Sequence, residues 1–189
     1  SQPERVAIIG AGVIGAAWAA RWILCGSDAL VYDPGPETER IVTEVAENAR
    51  HSWERMGLAP VREGSLTITK SIEEATDEVS LIQESVPESV NLKKQVLEQI
   101  EKSAPESALI ASSTSGLLPS ELQEEMRCPE RFLVGHPFNP VYLLPMVEVV
   151  GGKRTSADSV SSAIQLYETA GMKPFCLLYT SDAADDTPC

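Results

Sequence analysis

The sequence predicts an α/β protein built on a doubly wound, mostly parallel sheet. Two observations lead to this prediction. Short apolar runs alternate with longer stretches of helical periodicity along most of the chain, which is typical of strand–helix–strand units in a parallel sheet. The first run is followed at once by a glycine-rich turn, which is typical of the first strand–helix connection of such a sheet.

The first half of the chain contains four predicted strands and two predicted helices. The apolar run 5–9 predicts a buried strand, and the Ala- and Trp-rich stretch after the glycine turn predicts a helix that Gly26 ends. The second strand ends at Asp33, and a long amphipathic stretch follows it. We expect strands at 5–9, 29–32, 66–69 and 79–83, and helices from the glycine turn to about 25 and at 37–56.

The second half continues the alternation of strands and helices. Pro119 is suited to the first turn of a short helix, and Ser156 can cap a later helix that Gly171 ends. We expect strands at 108–111, 132–135 and 146–150, and helices at 91–102, 119–126 and 156–170. The helix at 91–102 has one apolar face, formed by Leu92, Val96, Leu97 and Ile100.

Composition limits the class of protein. The 189 residues are 43% hydrophobic, which indicates a folded globular domain. The net charge of −13 argues against nucleic acids and anionic membranes as partners and leaves room for a cationic or zwitterionic small-molecule substrate. No apolar run has membrane-spanning length, no signal peptide is visible, and four widely spaced cysteines without a CxxC pair indicate reduced thiols. We therefore expect a cytoplasmic protein.

A dinucleotide-binding motif follows the first predicted strand. Its glycines have the G-x-G-x-x-G spacing, which allows a tight turn and a close approach of the backbone to a pyrophosphate at the helix N-terminus. Asp33 would accept hydrogen bonds from the adenosine ribose, and a carboxylate there favours NAD over NADP. A glycine turn in an unrelated α/β protein is the alternative. The predicted cofactor-binding residues of the motif are Gly10, Ala11, Gly12, Val13, Ile14 and Gly15.

A candidate catalytic pair lies further along the chain. His136 closes one apolar run, and Glu148 lies in the next, where a buried carboxylate needs a partner. His136 is the simplest partner, and the carboxylate would hold the imidazole as a base. Ser115 lies in a polar turn past the strand at 108–111, where its hydroxyl could bond a substrate or the nicotinamide. A satisfied core histidine and a capping serine are the alternatives, and no metal site is expected because the other histidine, His51, lacks ligand spacing.

Five segments together carry a resemblance to a known family. They are GAGVIG, Asp33, ESVPE at 84–88, the STSG turn at 113–116, and HPFNP followed by VEVV. Over residues 6–174 the chain resembles the N-terminal, Rossmann-like NAD-binding domain of the 3-hydroxyacyl-CoA dehydrogenase superfamily. The resemblance implies a base that removes the proton of a 3-hydroxyl while hydride passes to the nicotinamide. It implies catalytic roles for Ser115, His136 and Glu148, and cofactor contacts for Glu88, Lys93, Ser115 and Asn139.

The resemblance also indicates a substrate branch. Members that use CoA carry a serine and basic residues on the helix after the second strand, where this chain has Ala49, Met56 and an acidic sequence. The HPFNPVYLLP segment resembles that of the L-carnitine 3-dehydrogenases, which oxidise L-carnitine to 3-dehydrocarnitine, and a related L-gulonate dehydrogenase and lambda-crystallin group has a similar segment. A trimethylammonium substrate would suit an acidic protein, with cation–π contact from an aromatic ring such as Tyr142.

The end of the chain departs from the family pattern. Family members continue into a helical domain that closes the active site and forms a homodimer. Here residues up to 179 could still form a strand, but beyond them the sequence becomes small, polar and acidic, and the tail resembles translated adapter or vector sequence. We expect an NAD-binding domain at 1–175 and a non-native or disordered tail at 176–189, with a divergent natural terminus as the alternative. If the helical domain is missing, the chain would be an NAD-binding module with little or no activity.

Overall fold

An eight-stranded sheet forms the centre of the structure, a computed structural model that describes residues 5–60 and 62–176. Its strands are β1 (Arg5–Ile9), β2 (Asp28–Tyr32), β3 (Leu66–Ile68), β4 (Leu81–Glu84), β5 (Leu109–Ser112), β6 (Phe132–Pro137), β7 (Met146–Gly151) and β8 (Lys173–Cys176). Their order is β3-β2-β1-β4-β5-β6-β7-β8, and neighbouring strands are parallel except β6 and β7. The first six strands have the order of a doubly wound dinucleotide-binding sheet, which confirms the predicted fold class.

Helices cover both faces of the sheet. They are α1 (Val13–Leu24), α2 (Thr38–Arg55), α3 (Ile72–Ala75), α4 (Val90–Ser103), α5 (Pro119–Leu122) and α6 (Ala157–Thr169), with a 3₁₀ helix at Pro129–Arg131. One apolar cluster packs α1, α2 and α6 against the sheet, and a second packs α3, α4 and α5 against the opposite face. Within the described ranges, no helix is long and apolar enough to cross a membrane.

Most predicted elements are present, with shifts at their ends. β4 begins at Leu81 rather than at 79, β5 ends at Ser112 rather than at 111, and α5 ends at Leu122 rather than at 126. The helix α3 and the 3₁₀ helix are not predicted from the sequence, because four residues or fewer are too short to show a helical period. On α4, Leu92 is exposed although the sequence predicts it on the apolar face, and its neighbour Lys93 is buried instead. The tail predicted at 176–189 lies outside the described residues, apart from residue 176 at the end of β8.

The connection between β6 and β7 spans residues 138–145 and contains a cis Asn139–Pro140 peptide. Within it, the Tyr142 carbonyl accepts hydrogen bonds from an Arg21 guanidinium N–H at 3.3 Å and from Trp53 Nε1 at 2.7 Å. These donors lie on α1 and α2, so the two helices hold the connection beside the carboxyl end of β6.

Candidate active site

The three glycines of the turn after β1 have different surroundings. Gly10 has a positive φ of 94°, and a Cβ there would lie 2.7 Å from the backbone of Ser85. A Cβ at Gly15 would lie 1.8 Å from the Gly10 carbonyl oxygen. A Cβ at Gly12 would meet nothing within 4 Å. The outer glycines are therefore required by the fold itself, and Gly12 faces open space into which a pyrophosphate can approach the backbone.

The N-terminus of α1 is suited to an anion. Gly12 is the N-cap and supplies no side-chain capping bond, and the first turn contains no acidic residue. The first N–H groups of a helix have no partners within it, and the helix dipole favours negative charge there. Val13 is 69% exposed beside this end, whereas Ile14 packs partly against the core. The turn and helix terminus therefore fit the pyrophosphate of a dinucleotide.

Asp33 follows β2 and ties the glycine turn to the neighbouring loop. One carboxylate oxygen accepts a hydrogen bond from the Ala11 N–H at 2.8 Å, and the other accepts one from the Gly35 N–H at 2.7 Å. Each oxygen of an ionised carboxylate can accept a second bond, so capacity for the ribose hydroxyls remains. The contact with the ribose stays a prediction, whereas the contact with the glycine turn was not predicted from the sequence.

His136 and Glu148 are directly opposed on the antiparallel strands β6 and β7, and the pairing predicted from the sequence is present. The distance from His136 Nδ1 to Glu148 Oε2 is 3.1 Å. A carboxylate at Nδ1 favours the tautomer with the proton on that nitrogen, which leaves Nε2 as an acceptor. The two side chains are 27% and 26% exposed, so the pair is partly open rather than enclosed in the core.

The pair points to the sheet face that carries α4 and α5. Val147 and Val149 belong to the cluster on the opposite face, and successive side chains of a strand alternate, so Glu148 points away from that cluster. Phe175 of β8 is in register with Glu148. Met146 and Phe175 are 39% and 38% exposed, so this end of the sheet presents an apolar surface around the pair.

Ser115 and Glu88 lie together beyond β5 and β4. The Ser115 N–H donates to Glu88 Oε2 at 3.3 Å, and the Thr114 hydroxyl donates to Glu88 Oε1. Ser115 and Glu88 are exposed, as is Asn139 three residues after His136. Since β1, β4, β5 and β6 are parallel, the segments at their carboxyl ends share one edge of the sheet with the glycine turn. The roles of Ser115, Glu88 and Asn139 toward substrate and cofactor stay predictions.

Lys93 differs from the predicted cofactor residues Glu88, Ser115 and Asn139 because its side chain is buried. Its ammonium donates to Glu84 Oε2 at 2.7 Å and to the Val86 carbonyl at 3.0 Å, and the two charged side chains are 2% and 0% exposed. Burial raises the pKa of Glu84, and the hydrogen bonds from Lys93, Ser112 and the Val86 N–H act in the opposite direction. Sequence reasoning missed Glu84, although a carboxylate at the end of an apolar run, nine residues before a lysine, was a usable signal.

Comparison with known proteins identifies the class to which this fold and site belong. The family model described as 3-hydroxyacyl-CoA dehydrogenase, NAD binding domain, matches residues 5–179. The chain therefore belongs to the 3-hydroxyacyl-CoA dehydrogenase family, and the matched residues are its NAD-binding domain. This confirms the resemblance inferred from the sequence and the prediction of NAD as cofactor.

Curated relatives carry more specific names. An L-carnitine dehydrogenase/betainyl-CoA thioesterase of Rhizobium sp is 53% identical over 170 residues, which cover 89% of this chain and 34% of the relative. An L-carnitine dehydrogenase of Mesorhizobium japonicum is 49% identical over 174 residues, which cover 90% of this chain and 48% of the relative. The chain thus spans between about a third and a half of the length of these relatives.

Solved structures agree with the family. A 5-formyl-3-hydroxy-2-methylpyridine 4-carboxylic acid 5-dehydrogenase superposes with a TM-score of 0.86 and 29% identity, covering 92% of this chain and 57% of that one. The 3-hydroxybutyryl-CoA dehydrogenase of Escherichia coli superposes with a TM-score of 0.83 and 26% identity, covering 93% of this chain and 38% of that one.

Proposed function

We propose that this protein oxidises the 3-hydroxyl of L-carnitine to 3-dehydrocarnitine, with NAD as the electron acceptor. The observation that carries the proposal is the hydrogen-bonded pair of His136 and Glu148, which lies at the same edge of the sheet as the dinucleotide turn. The names of the relatives at 53% and 49% identity support the substrate.

The geometry of the pair supports a base mechanism. His136 Nε2 accepts the proton of the substrate hydroxyl and becomes an imidazolium. The hydrogen bond between Glu148 and Nδ1 stabilises this imidazolium. The Ser115 hydroxyl is available to donate a hydrogen bond to the substrate oxygen. NAD held at the glycine turn by Gly10, Gly12 and Gly15 would supply the acceptor for a hydride from C3 of the substrate. The alcohol would thus lose one proton to His136 and one hydride to the cofactor, which would give a ketone.

The helix α2 favours a small substrate over a CoA thioester. Two of the arginines that a CoA phosphate could meet there are already paired with carboxylates. Guanidinium nitrogens of Arg40 lie 2.5 Å from a carboxylate oxygen of Glu37 and 3.1 Å from one of Glu44. A guanidinium nitrogen of Arg50 lies 2.5 Å from a carboxylate oxygen of Glu63. Exposed ion pairs are individually weak, but a phosphate would still have to compete with these carboxylates. The alternative substrate, a 3-hydroxyacyl-CoA, is supported by the superposition on 3-hydroxybutyryl-CoA dehydrogenase.

An aromatic surface beside the pair suits a quaternary ammonium group. The Phe138 ring lies 5.7 Å from the His136 ring, and the Phe175 ring lies 6.0 Å from that of Phe138. A ring face within about 6 Å attracts a cation by cation–π interaction. Tyr142, the candidate suggested by the sequence, is partly buried against the core on the α1 face, so Phe138 is the better candidate.

Substrate turnover tests the proposal directly. NADH formation would be followed with L-carnitine, 3-hydroxybutyryl-CoA and L-gulonate in parallel, and NAD binding would be measured by calorimetry. We expect NAD binding, turnover of L-carnitine, and loss of that turnover in His136→Asn without loss of NAD binding. If only 3-hydroxybutyryl-CoA or only L-gulonate were oxidised, that compound and not L-carnitine would be the substrate. NAD binding without any turnover would define the 189-residue chain as a binding module.

A further inference from the structure

A fully buried glutamine on β4, Gln83, is bonded to two of the segments that carry the candidate catalytic residues. Its amide nitrogen donates to Ser113 Oγ at 2.8 Å and to the Gly135 carbonyl at 3.1 Å. Its amide oxygen accepts from the Tyr167 hydroxyl at 2.7 Å. Both N–H donors of the amide are thereby used, and the oxygen is satisfied as well.

The bond to Gly135 lies just beyond the registered pairing of β5 with β6. The last registered pair between β5 and β6 is Ser112 with Val134, so Gly135 lies one residue beyond it. The Gln83 amide reaches this carbonyl from β4, two strands away in the sheet. It donates to this carbonyl beyond the last registered β5–β6 pair, and the peptide unit that it holds is the one joining Gly135 to His136.

Tyr167 of α6 donates to the oxygen of the same amide. A Cβ at Gly135 would lie 1.9 Å from the Tyr167 hydroxyl oxygen, so the hydroxyl sits directly over this glycine. Burial raises the pKa of Tyr167, so its hydroxyl stays protonated and donates to the Gln83 amide oxygen. A flipped amide would set its oxygen against the Gly135 carbonyl oxygen, and two acceptors cannot bond each other.

We propose that Gln83 is a positioning residue for His136: it holds the Gly135–His136 peptide unit in the orientation that places the imidazole against Glu148. Through Ser113, two residues before Ser115, it also fixes the start of the turn that carries the candidate catalytic serine. Its importance for turnover rests on the proposed function. Its effect on the geometry of His136 does not, and it can be measured without substrate.

The two histidines of the chain make this measurement direct. His51 is exposed on α2 and serves as an internal reference, and His136 is the other. In ¹⁵N-histidine NMR, at a pH where both imidazoles are neutral, we expect His136 to be held in the tautomer with the proton on Nδ1. His51 should show the averaged signals of an imidazole in water.

Gln83→Met keeps the length of the side chain and removes its donors. We expect His136 to lose its single-tautomer signature and to approach the averaged pattern of His51. The matched control is Tyr167→Phe, which removes one buried bond from the same network but leaves both N–H donors facing Ser113 and Gly135. It should lower thermal stability while His136 keeps its tautomer.

If Gln83→Met does not fold, Gln83→Asn decides the question, because its amide is one methylene too short to reach Gly135. A folded variant at residue 83 in which His136 keeps the wild-type tautomer would overturn the proposal and leave Gln83 a structural residue only. Loss of the tautomer signature in a chain that turns over no L-carnitine would sustain the positioning role and reject the proposed substrate.

Discussion

At the scale of single residues, two hydrogen-bonded pairs that each contain a carboxylate differ in burial, and burial separates their roles. His136 and Glu148 are about a quarter exposed, so a substrate hydroxyl can reach the imidazole and the proton can be exchanged. Glu84 and Lys93 are almost completely buried, so they are placed to hold the backbone after β4 rather than to exchange protons. Removal of one partner from such a buried pair leaves an uncompensated charge.

Glu148→Gln should lower turnover by about 100-fold or more, because the amide cannot stabilise the imidazolium as the carboxylate does. NAD affinity should be nearly unchanged, since Glu148 acts through His136 and not through the dinucleotide turn. Steady-state kinetics with NAD calorimetry would check both. A turnover rate equal to that of the wild type would make the pair structural.

Lys93→Met should destabilise the fold by about 3–5 kcal/mol near pH 7, because Glu84 would remain buried without its cation. The loss should be smaller in acid. Burial already raises the folded-state pKa of Glu84 above its ordinary value of 4.5, and the substitution removes a group that opposes the rise. A raised folded-state pKa adds stability below the unfolded-state value and loses it as the pH rises through the folded-state value.

Urea unfolding of Lys93→Met and of the wild type, from acid to neutral pH, would measure the loss of stability as a difference in the free energy of unfolding. The double variant Glu84→Gln/Lys93→Met is the control, since it contains no buried charge at this site. Its difference from the wild type should vary much less with pH. A difference for Lys93→Met that stays constant from acid to neutral pH would contradict the argument.

At the scale of elements, the β1–α1 connection separates residues that the fold requires from a residue that the cofactor requires. Gly10 and Gly15 contact backbone, and Gly12 faces open space. The strand, the turn and the helix are continuous in sequence, so local pattern alone predicts their arrangement. What the helix N-terminus can bind follows from the absence of a side-chain cap at Gly12 and of acidic residues in the first turn.

Gly12→Ala should weaken NAD binding by about tenfold or more, because its methyl group enters the space open to the pyrophosphate. It should change the free energy of unfolding by no more than about 1 kcal/mol, since the Cβ meets no protein atom within 4 Å. Gly15→Ala should instead destabilise the fold by about 1–3 kcal/mol, because its Cβ would overlap the Gly10 carbonyl oxygen. Calorimetry with NAD would measure the loss of affinity, and urea unfolding would measure the loss of stability. Full NAD affinity in Gly12→Ala would contradict the assignment of Gly12 to the pyrophosphate site.

At the scale of the whole molecule, Arg21 joins α1 to the turn between α6 and β8. Its guanidinium donates to the carbonyls of Ala170 and Gly171 at 2.7 Å each. Its Cζ lies over the Trp53 ring, 5.6 Å from the ring centroid. Burial lowers the pKa of Arg21, and its guanidinium donates hydrogen bonds to three backbone carbonyls, those of Tyr142, Ala170 and Gly171. The planar fork of arginine matches this set of acceptors, and a lysine ammonium would not reproduce it.

Arg21→Lys should lower the free energy of unfolding by about 1–3 kcal/mol, because one ammonium cannot satisfy the carbonyls that the guanidinium serves. Hydrogen exchange should speed up first at residues 170–173. Arg55→Lys, an exposed substitution on α2, is the control and should change stability by less than about 0.5 kcal/mol. Equal effects of the two substitutions in urea unfolding would show that Arg21 does not tie these segments together.

The sequence by itself determined the alternation of strands and helices, the dinucleotide turn and the pairing of His136 with Glu148. The glycine spacing and the apolar periods repeat over a few residues, and His136 and Glu148 lie on strands joined by one short connection. The fold class and the cofactor followed from these local patterns. The ends of β4, β5 and α5 did not, because a strand or helix stops where its tertiary partners stop.

Only the tertiary structure decided which distant polar groups meet. Gln83 contacts residues 52 and 84 positions away, and Arg21 contacts carbonyls 149 and 150 positions away. On α4, Lys93 rather than Leu92 is buried, because the Glu84 carboxylate lies within reach of its ammonium. Burial of a polar side chain depends on a partner brought by the fold, whereas the hydrophobic period of a helix contains no information about that partner.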